Sequence, residues 1–236
     1  MSAFSVFTTA LVHGERVKWL DEHLERLKEH ANAFEIPYPG DAILRAKVSA
    51  KVSAKVSGIS GYQVGTHLIR IALSSTGVDI RTRPVNPASG SGIIVSNVCV
   101  DRRFTRFKTS EAGPYEKARR FANEQGAIEA LLVDEEGYVV DGSRSSPLLY
   151  REGTLISLEG GLRGITREKV LQAAGEKGLK VERARLREQD LTGRLIVAGS
   201  GIGLVPDGEA GDTRIAQLVD EFSLSHLRQE RVKVMD

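Results

Sequence analysis

The stretch Arg83-Pro84-Val85-Asn86-Pro87-Ala88-Ser89-Gly90-Ser91-Gly92 constrains this chain more than any other. Its prolines lack the amide that a helix interior or a central strand requires, and its glycines lose the most freedom on ordering. No regular element is expected to cross it. The sequence therefore reads as two cores: a small N-terminal α+β domain over residues 1–83, a linker over 84–92 and a larger C-terminal domain over 93–236. A chain of 236 residues is long enough for both.

Before the linker, Phe4–Val12 is rich in aromatic and β-branched residues and reads as a strand. His13-Gly14-Glu15-Arg16 reads as a turn and Val17–Leu20 as a short return strand. A helix capped by Asp21 is expected next, with Leu20, Leu24, Leu27, Ala31 and Phe34 at helical spacing and Pro37 as its stop. Arg26 sits beside that apolar stripe. From Ala46 to Ser57 the tetrapeptide Ala-Lys-Val-Ser occurs three times. A period of four lays the valines along one ridge and the lysines along another, which predicts an amphipathic helix. His67–Ser74 alternates like a strand.

After the linker, strands are expected at Ile93–Val100, Glu129–Val133, Tyr138–Val140, Leu148–Tyr150, Leu155–Leu158, Lys180–Ala184 and Leu195–Ala198. Pro114 opens a helical segment that Gly126 closes. A second helix starts at about Thr166, and Asp212–Gln229 is a terminal amphipathic one. The fold class is α+β with a strand-rich second part.

The charge balance, 33 basic against 31 acidic residues, gives no electrostatic case for a nucleic-acid or membrane partner. The single cysteine, Cys99, excludes an internal disulfide and a cysteine-based zinc site, and its apolar surroundings predict a buried thiol. The histidines are scattered, so no metal site is expected. Neither a signal peptide nor a run of membrane-spanning length is visible, and the expectation is a cytoplasmic protein.

Chemistry concentrates at a few places. Lys108 lies between an apolar strand and a helix start, where low dielectric disfavours the ammonium and a free amine can form a Schiff base. The ordinary alternative is a solvated surface lysine. Gly164-Ile165-Thr166 runs into a helix, whose first amides and dipole suit a phosphate; the structural alternative is Thr166 as a plain N-cap. Gly199-Ser200-Gly201 follows a strand, and its glycines would let amides approach an anion. Asp141-Gly142 is either a functional carboxylate or ordinary turn chemistry.

In order and spacing, Lys108, Glu129-Ala130-Leu131-Leu132-Val133-Asp134, Asp141-Gly142-Ser143, Gly164-Ile165-Thr166-Arg167 and Ser200 resemble the fold-type IV pyridoxal-phosphate enzymes. Branched-chain and D-amino-acid aminotransferases and 4-amino-4-deoxychorismate lyase belong to that family. Val6-Phe7-Thr8-Thr9-Ala10 and His23-Leu24-Glu25-Arg26-Leu27 are similar to its N-terminal strand and H-x-x-R-L helix. The resemblance implies a small α/β sandwich followed by a strand-rich pseudo-barrel, pyridoxal 5′-phosphate as cofactor, a homodimer and a small amino-acid-like substrate. Lys108 would be the Schiff-base lysine and the base that moves the α-proton. Asp141 would pair with the pyridine nitrogen, and Arg26, the amides of Ile165 and Thr166, and Ser200 would hold the phosphate.

The chain departs from the family pattern at four positions. Asp141 stands where the family has Glu, Glu111 and Ser146 where it has Asn, and Arg144 adds a charge. Of the activities implied, the lyase, forming 4-aminobenzoate and pyruvate, is favoured by the Phe-Thr-Thr-Ala start. A class IV aminotransferase is the alternative, and a non-catalytic protein of the same fold is a third reading.

Overall fold

The computed structural model describes residues 4–57, 65–86 and 89–224. Two compact units emerge, one of Met1–Val85 with Phe107–Glu111, the other of Asn86–Arg106 with Ala112–Asp236.

In the first unit, β1 (Ser5–His13), β2 (Arg16–Val17), β3 (His67–Ser74) and β4 (Gly77–Pro84) form an antiparallel sheet in the order β2-β1-β3-β4. Helices α1 (Leu20–Ala33) and α2 (Asp41–Ser57) supply the rest. Val6, Ala10 and Val12 of β1 and Ile69, Ile71 and Leu73 of β3 pack with Leu24, Leu27 and Ala31 of α1. Leu44, Val48 and Val52 of α2 complete the core. Two of the repeat valines are thus fully buried while Lys47 and Lys51 are exposed, as a period of four dictates.

Several local readings shift. Asp21 lies in the first turn of α1, and the cap is Trp19, whose φ of 54° turns the chain and ends the return strand at Val17. Strand β4 is not evident in the sequence, and its last residues, Arg83 and Pro84, come from the stretch read as linker. Pro84 is tolerated because β4 is an edge strand and Pro84 is its terminal residue, opposite His67. Pro87 and Ala88 of that stretch lie outside the described residues.

The second unit holds two sheets. β5 (Ile93–Cys99) pairs in parallel with β6 (Glu129–Val133), and β6 pairs antiparallel with β7 (Val139–Gly142). The other sheet contains β8 (Ser146–Arg151), β9 (Thr154–Leu158), β10 (Lys180–Ala184), β11 (Arg194–Gly199) and β12 (Gly203–Pro206), in the order β10-β9-β8-β11-β12. A short α3 (Arg102–Thr105), capped by the Asp101 side chain, separates β5 from the Lys108 segment. Helix α4 (Gly113–Glu124) has its proline in the first turn and Gly126, at φ 64°, beyond its end. Helices α5 (Ile165–Glu176) and α6 (Thr213–Phe222) follow. Asp212 caps α6, and the expected continuation to Gln229 falls outside the described residues.

Cys99 corrects the sequence reading. It is exposed, because β5 is an edge strand and the alternation that buries Val98 turns Cys99 outward. Asp141, expected in a loop, is inside β7 opposite Leu132.

Candidate active site

Strand β2 is only two residues long and pairs with Val12 and His13, which leaves the Ser5–Phe7 edge of β1 open. Phe107–Glu111 occupies that edge, so these residues group with the first unit, whereas the sequence assigns Lys108 to the larger domain. The Phe7 amide donates to the Lys108 carbonyl at 2.9 Å, the Ser110 amide to the Ser5 carbonyl at 2.8 Å, and Val6 bridges Thr109. On the other side the Lys108 amide donates to Nδ1 of His30 at 3.2 Å. Both main-chain groups of Lys108 are therefore fixed, and its Nζ lies 5.1 Å from the centre of the Phe7 ring.

His30 comes from α1. With His23 and Arg26 it forms an i, i+3, i+7 face, so one helix aims an arginine and two imidazoles the same way. Arg26 Nη2 donates to the Thr8 hydroxyl at 2.8 Å, and that hydroxyl lies 2.6 Å from Nδ1 of His23. Burial pushes the His23 imidazole down to about 3, helped by the Arg26 and Lys108 charges. His30 is pushed down to about 4 by the same causes in the same order. Both rings are neutral near pH 7. Since Nδ1 of His30 accepts, its proton is on Nε2.

In the second unit Asp141 is 5% exposed. Its Oδ1 accepts the Gly142 amide at 3.1 Å and its Oδ2 accepts the Tyr115 hydroxyl at 3.5 Å. Burial, then the Asp141 charge, raises the Tyr115 hydroxyl far above its usual range, so Tyr115 stays a donor. Gly160 and Gly161 lie directly on β7: a Cβ on Gly161 would meet the Val140 carbonyl oxygen at 2.1 Å and the Asp141 Cβ at 3.0 Å.

Helix α5 starts at Ile165 with Gly164 as a cap that offers no side chain. A Cβ on Gly164 would come within 2.4 Å of Ser146 Oγ, so any side chain here requires Ser146 to shift. The consequence is that the first amides of α5 have no side-chain cap. The Thr166 hydroxyl lies 3.4 Å from that of Ser200, in the turn between β11 and β12. Two turns that each read as anion-binding in the sequence are brought together. Arg167 is 3% exposed, and its guanidinium donates to the Leu158 carbonyl at 3.1 Å.

Lys108 and Arg26 thus share one half of the candidate set, and Asp141, Ile165, Thr166 and Ser200 belong to the other. Sequence reading gives no role to Thr8, His30, Tyr115 or Glu129, although Thr8 and Glu129 fall within the motifs that carry the resemblance. The helical spacing of His23, Arg26 and His30 is a signal that could have found His30, and an acid opening the apolar run Glu129–Val133 is a signal for Glu129. Nothing local marks Tyr115. Among the described residues no group of three or more His, Cys, Asp or Glu could hold a metal ion, and no helix is long and apolar enough to cross a membrane.

Comparison with known proteins bears on both halves. The family model described as amino-transferase class IV matches residues 5–206. A crystal structure of a protein provisionally named 4-amino-4-deoxychorismate lyase is 40% identical, with a TM-score of 0.84 over 93% of this chain and 89% of that one. A hypothetical aminotransferase from Mycobacterium tuberculosis, in its PLP-bound form, shares the fold at 22% identity, with a TM-score of 0.79 over 94% of this chain and 89% of that one. A protein of Methanocaldococcus jannaschii, provisionally named branched-chain-amino-acid aminotransferase, is 33% identical over 90 residues, or 36% of this chain. That match spans only 31% of the relative's own length.

Proposed function

The chain belongs to the class IV amino-transferase family, and on that premise we propose that it is a pyridoxal-phosphate lyase that converts 4-amino-4-deoxychorismate to 4-aminobenzoate and pyruvate. The observation that carries the choice of lyase is the 40% identity, over 93% of the chain, to the protein provisionally named as that lyase.

The residues fit the cofactor. A phosphate dianion needs several convergent donors, and the uncapped start of α5 with the Thr166 and Ser200 hydroxyls 3.4 Å apart supplies them. Ile165 and Thr166 would contribute amides, and Arg26, held by Thr8, a guanidinium. Asp141 is a buried carboxylate of the kind that keeps a pyridine nitrogen protonated. When bound, pyridoxal phosphate supplies a ring that takes up the electron pair left by a departing proton. Lys108 would hold the aldehyde carbon and then act as base. It would take the proton from the carbon bearing the substrate's amine, and the group that becomes pyruvate would leave from the neighbouring carbon. The main-chain hydrogen bonds of Lys108 limit its motion to the side chain.

The Methanocaldococcus jannaschii relative favours a second reading, an aminotransferase with the same residues and a keto-acid product. Borohydride reduction of the loaded protein, followed by peptide mapping, tests the shared part, with the label expected on Lys108. Following pyruvate and keto-acid formation over a panel of amine substrates separates the two activities. Keto acid without 4-aminobenzoate would refute the lyase.

A further inference from the structure

Glu129 opens an otherwise apolar strand and is 0% exposed, where a bare carboxylate is unfavourable unless donors surround it. Its Oε1 accepts the Ala130 amide at 3.0 Å, the Ser143 amide at 3.0 Å and the Ser143 hydroxyl at 2.5 Å. Its Oε2 accepts the Ser145 hydroxyl at 2.6 Å and the Arg144 amide at 3.3 Å. Four of these five donors belong to Ser143, Arg144 and Ser145, the turn that directly follows Asp141 and Gly142. All five groups donate to the two oxygens of the Glu129 side chain.

We propose that Glu129 is a positioning residue: its carboxylate is the template around which the 142–145 turn closes, and through that turn it sets the orientation of the Asp141 carboxylate. The proposal rests on the assignment of Asp141 to the pyridine nitrogen. The route is short. Glu129 fixes Ser145, the Ser145 carbonyl accepts the Gly142 amide at 2.8 Å, and the same amide donates to Asp141 Oδ1 at 3.1 Å. Tyr115 meets the other oxygen, so Oδ1 and Oδ2 are each held from one side. A strand residue present only for packing would be aliphatic, like Leu131 and Leu132 beside it.

Glu129→Gln tests the idea because an amide nitrogen must then face at least one N–H or hydroxyl that now donates. In cofactor-free protein, hydrogen exchange at the Arg144 amide should speed up by about tenfold or more, and at the Ser143 amide, which the Ala130 carbonyl also accepts at 3.1 Å, by less, while the amides of β8 and β11 are unchanged. In loaded enzyme, kcat should fall by about tenfold with KM within a few-fold, and the pH titration of the bound cofactor's absorbance should shift. Ser145→Ala, which keeps the charge and removes one donor, should show the same changes in smaller measure and serves if Glu129→Gln does not fold. Unchanged exchange at Arg144 would overturn the proposal, as would changed exchange with unaltered kcat and cofactor titration. The exchange experiment needs no cofactor, so a wild-type protein in which Lys108 takes no label would refute the proposed function separately.

Discussion

Acid should weaken the first unit from about pH 6.5 downward, through its buried histidines. His23 is 1% exposed and His30 4% exposed, and both are held neutral with pKa values of about 3 and about 4, against 6.5 when unfolded. Because the folded values lie below the unfolded ones, the unfolded chain binds protons that the folded one refuses. Stability is full above pH 6.5 and is lost as pH falls from there toward the folded values. The slope is about 1.4 kcal/mol per pH unit per histidine, so His23 alone removes about 2 kcal/mol between pH 7 and pH 5. His30, whose folded value is nearer its unfolded one, acts in the same window by slightly less, and buried His67 shares the direction. Against a domain stability of about 5–15 kcal/mol this is a large loss. Trp19, the chain's one tryptophan, caps α1 and reports on this unit. Urea unfolding of cofactor-free protein, followed by Trp19 fluorescence from pH 7 to pH 5, measures the slope directly. His23→Asn should flatten it whatever its effect on stability at pH 7. Asp212, held far below the usual carboxylate range by Arg214 and Tyr150, loses its contribution only in stronger acid and does not confuse the window. A stability change under about 1 kcal/mol, or an unaltered slope in His23→Asn, would show that these imidazoles are not held neutral.

Lys108→Ala should abolish borohydride-stable attachment of the cofactor, and a label on another lysine would remove Lys108 from its role. Asp141→Asn should cost about tenfold or more in turnover, since a charge-assisted hydrogen bond is worth about 1.5–3 kcal/mol, with cofactor attachment retained; Asp141→Glu should be tolerated, and unchanged turnover in Asp141→Asn would count against the site. Gly164→Ala should lower stability by about 1–3 kcal/mol and weaken phosphate binding, because its Cβ meets Ser146 Oγ at 2.4 Å. Adding Ser146→Gly should restore both, and an additive double variant would refute the clash. Sedimentation should find a homodimer, and a stable 25.7 kDa monomer carrying cofactor would contradict it.

Much of the local structure was legible. The tetrapeptide repeat gave α2, the 129–133 run gave β6, and glycine before Ile165 marked the start of α5. These signals work because periodicity and backbone propensity act over a few residues, within one element. The same locality made the turns Gly164–Thr166 and Gly199–Ser200 readable, and the ordered motifs made the family recognisable. Where a residue's behaviour depends on its neighbours in space, the local signal failed. Cys99 reads as buried from its apolar run, yet an edge strand turns it outward.

By itself, then, the sequence determined most of the elements, though not β4, α3 or β12, and which residue types could serve a phosphate, a pyridine ring and an aldehyde. Only the tertiary structure decided how those groups are held. His30 meets the Lys108 amide across 78 positions because β2 is too short to fill the edge of β1, and no local pattern records a vacancy left by another strand. Thr166 and Ser200 meet across 34 positions, and Glu129 gathers a turn from 14 to 16 residues away. A hydrogen bond requires its partners within about 3 Å, and which distant donors reach that distance is fixed by strand order and packing rather than by neighbours in the chain.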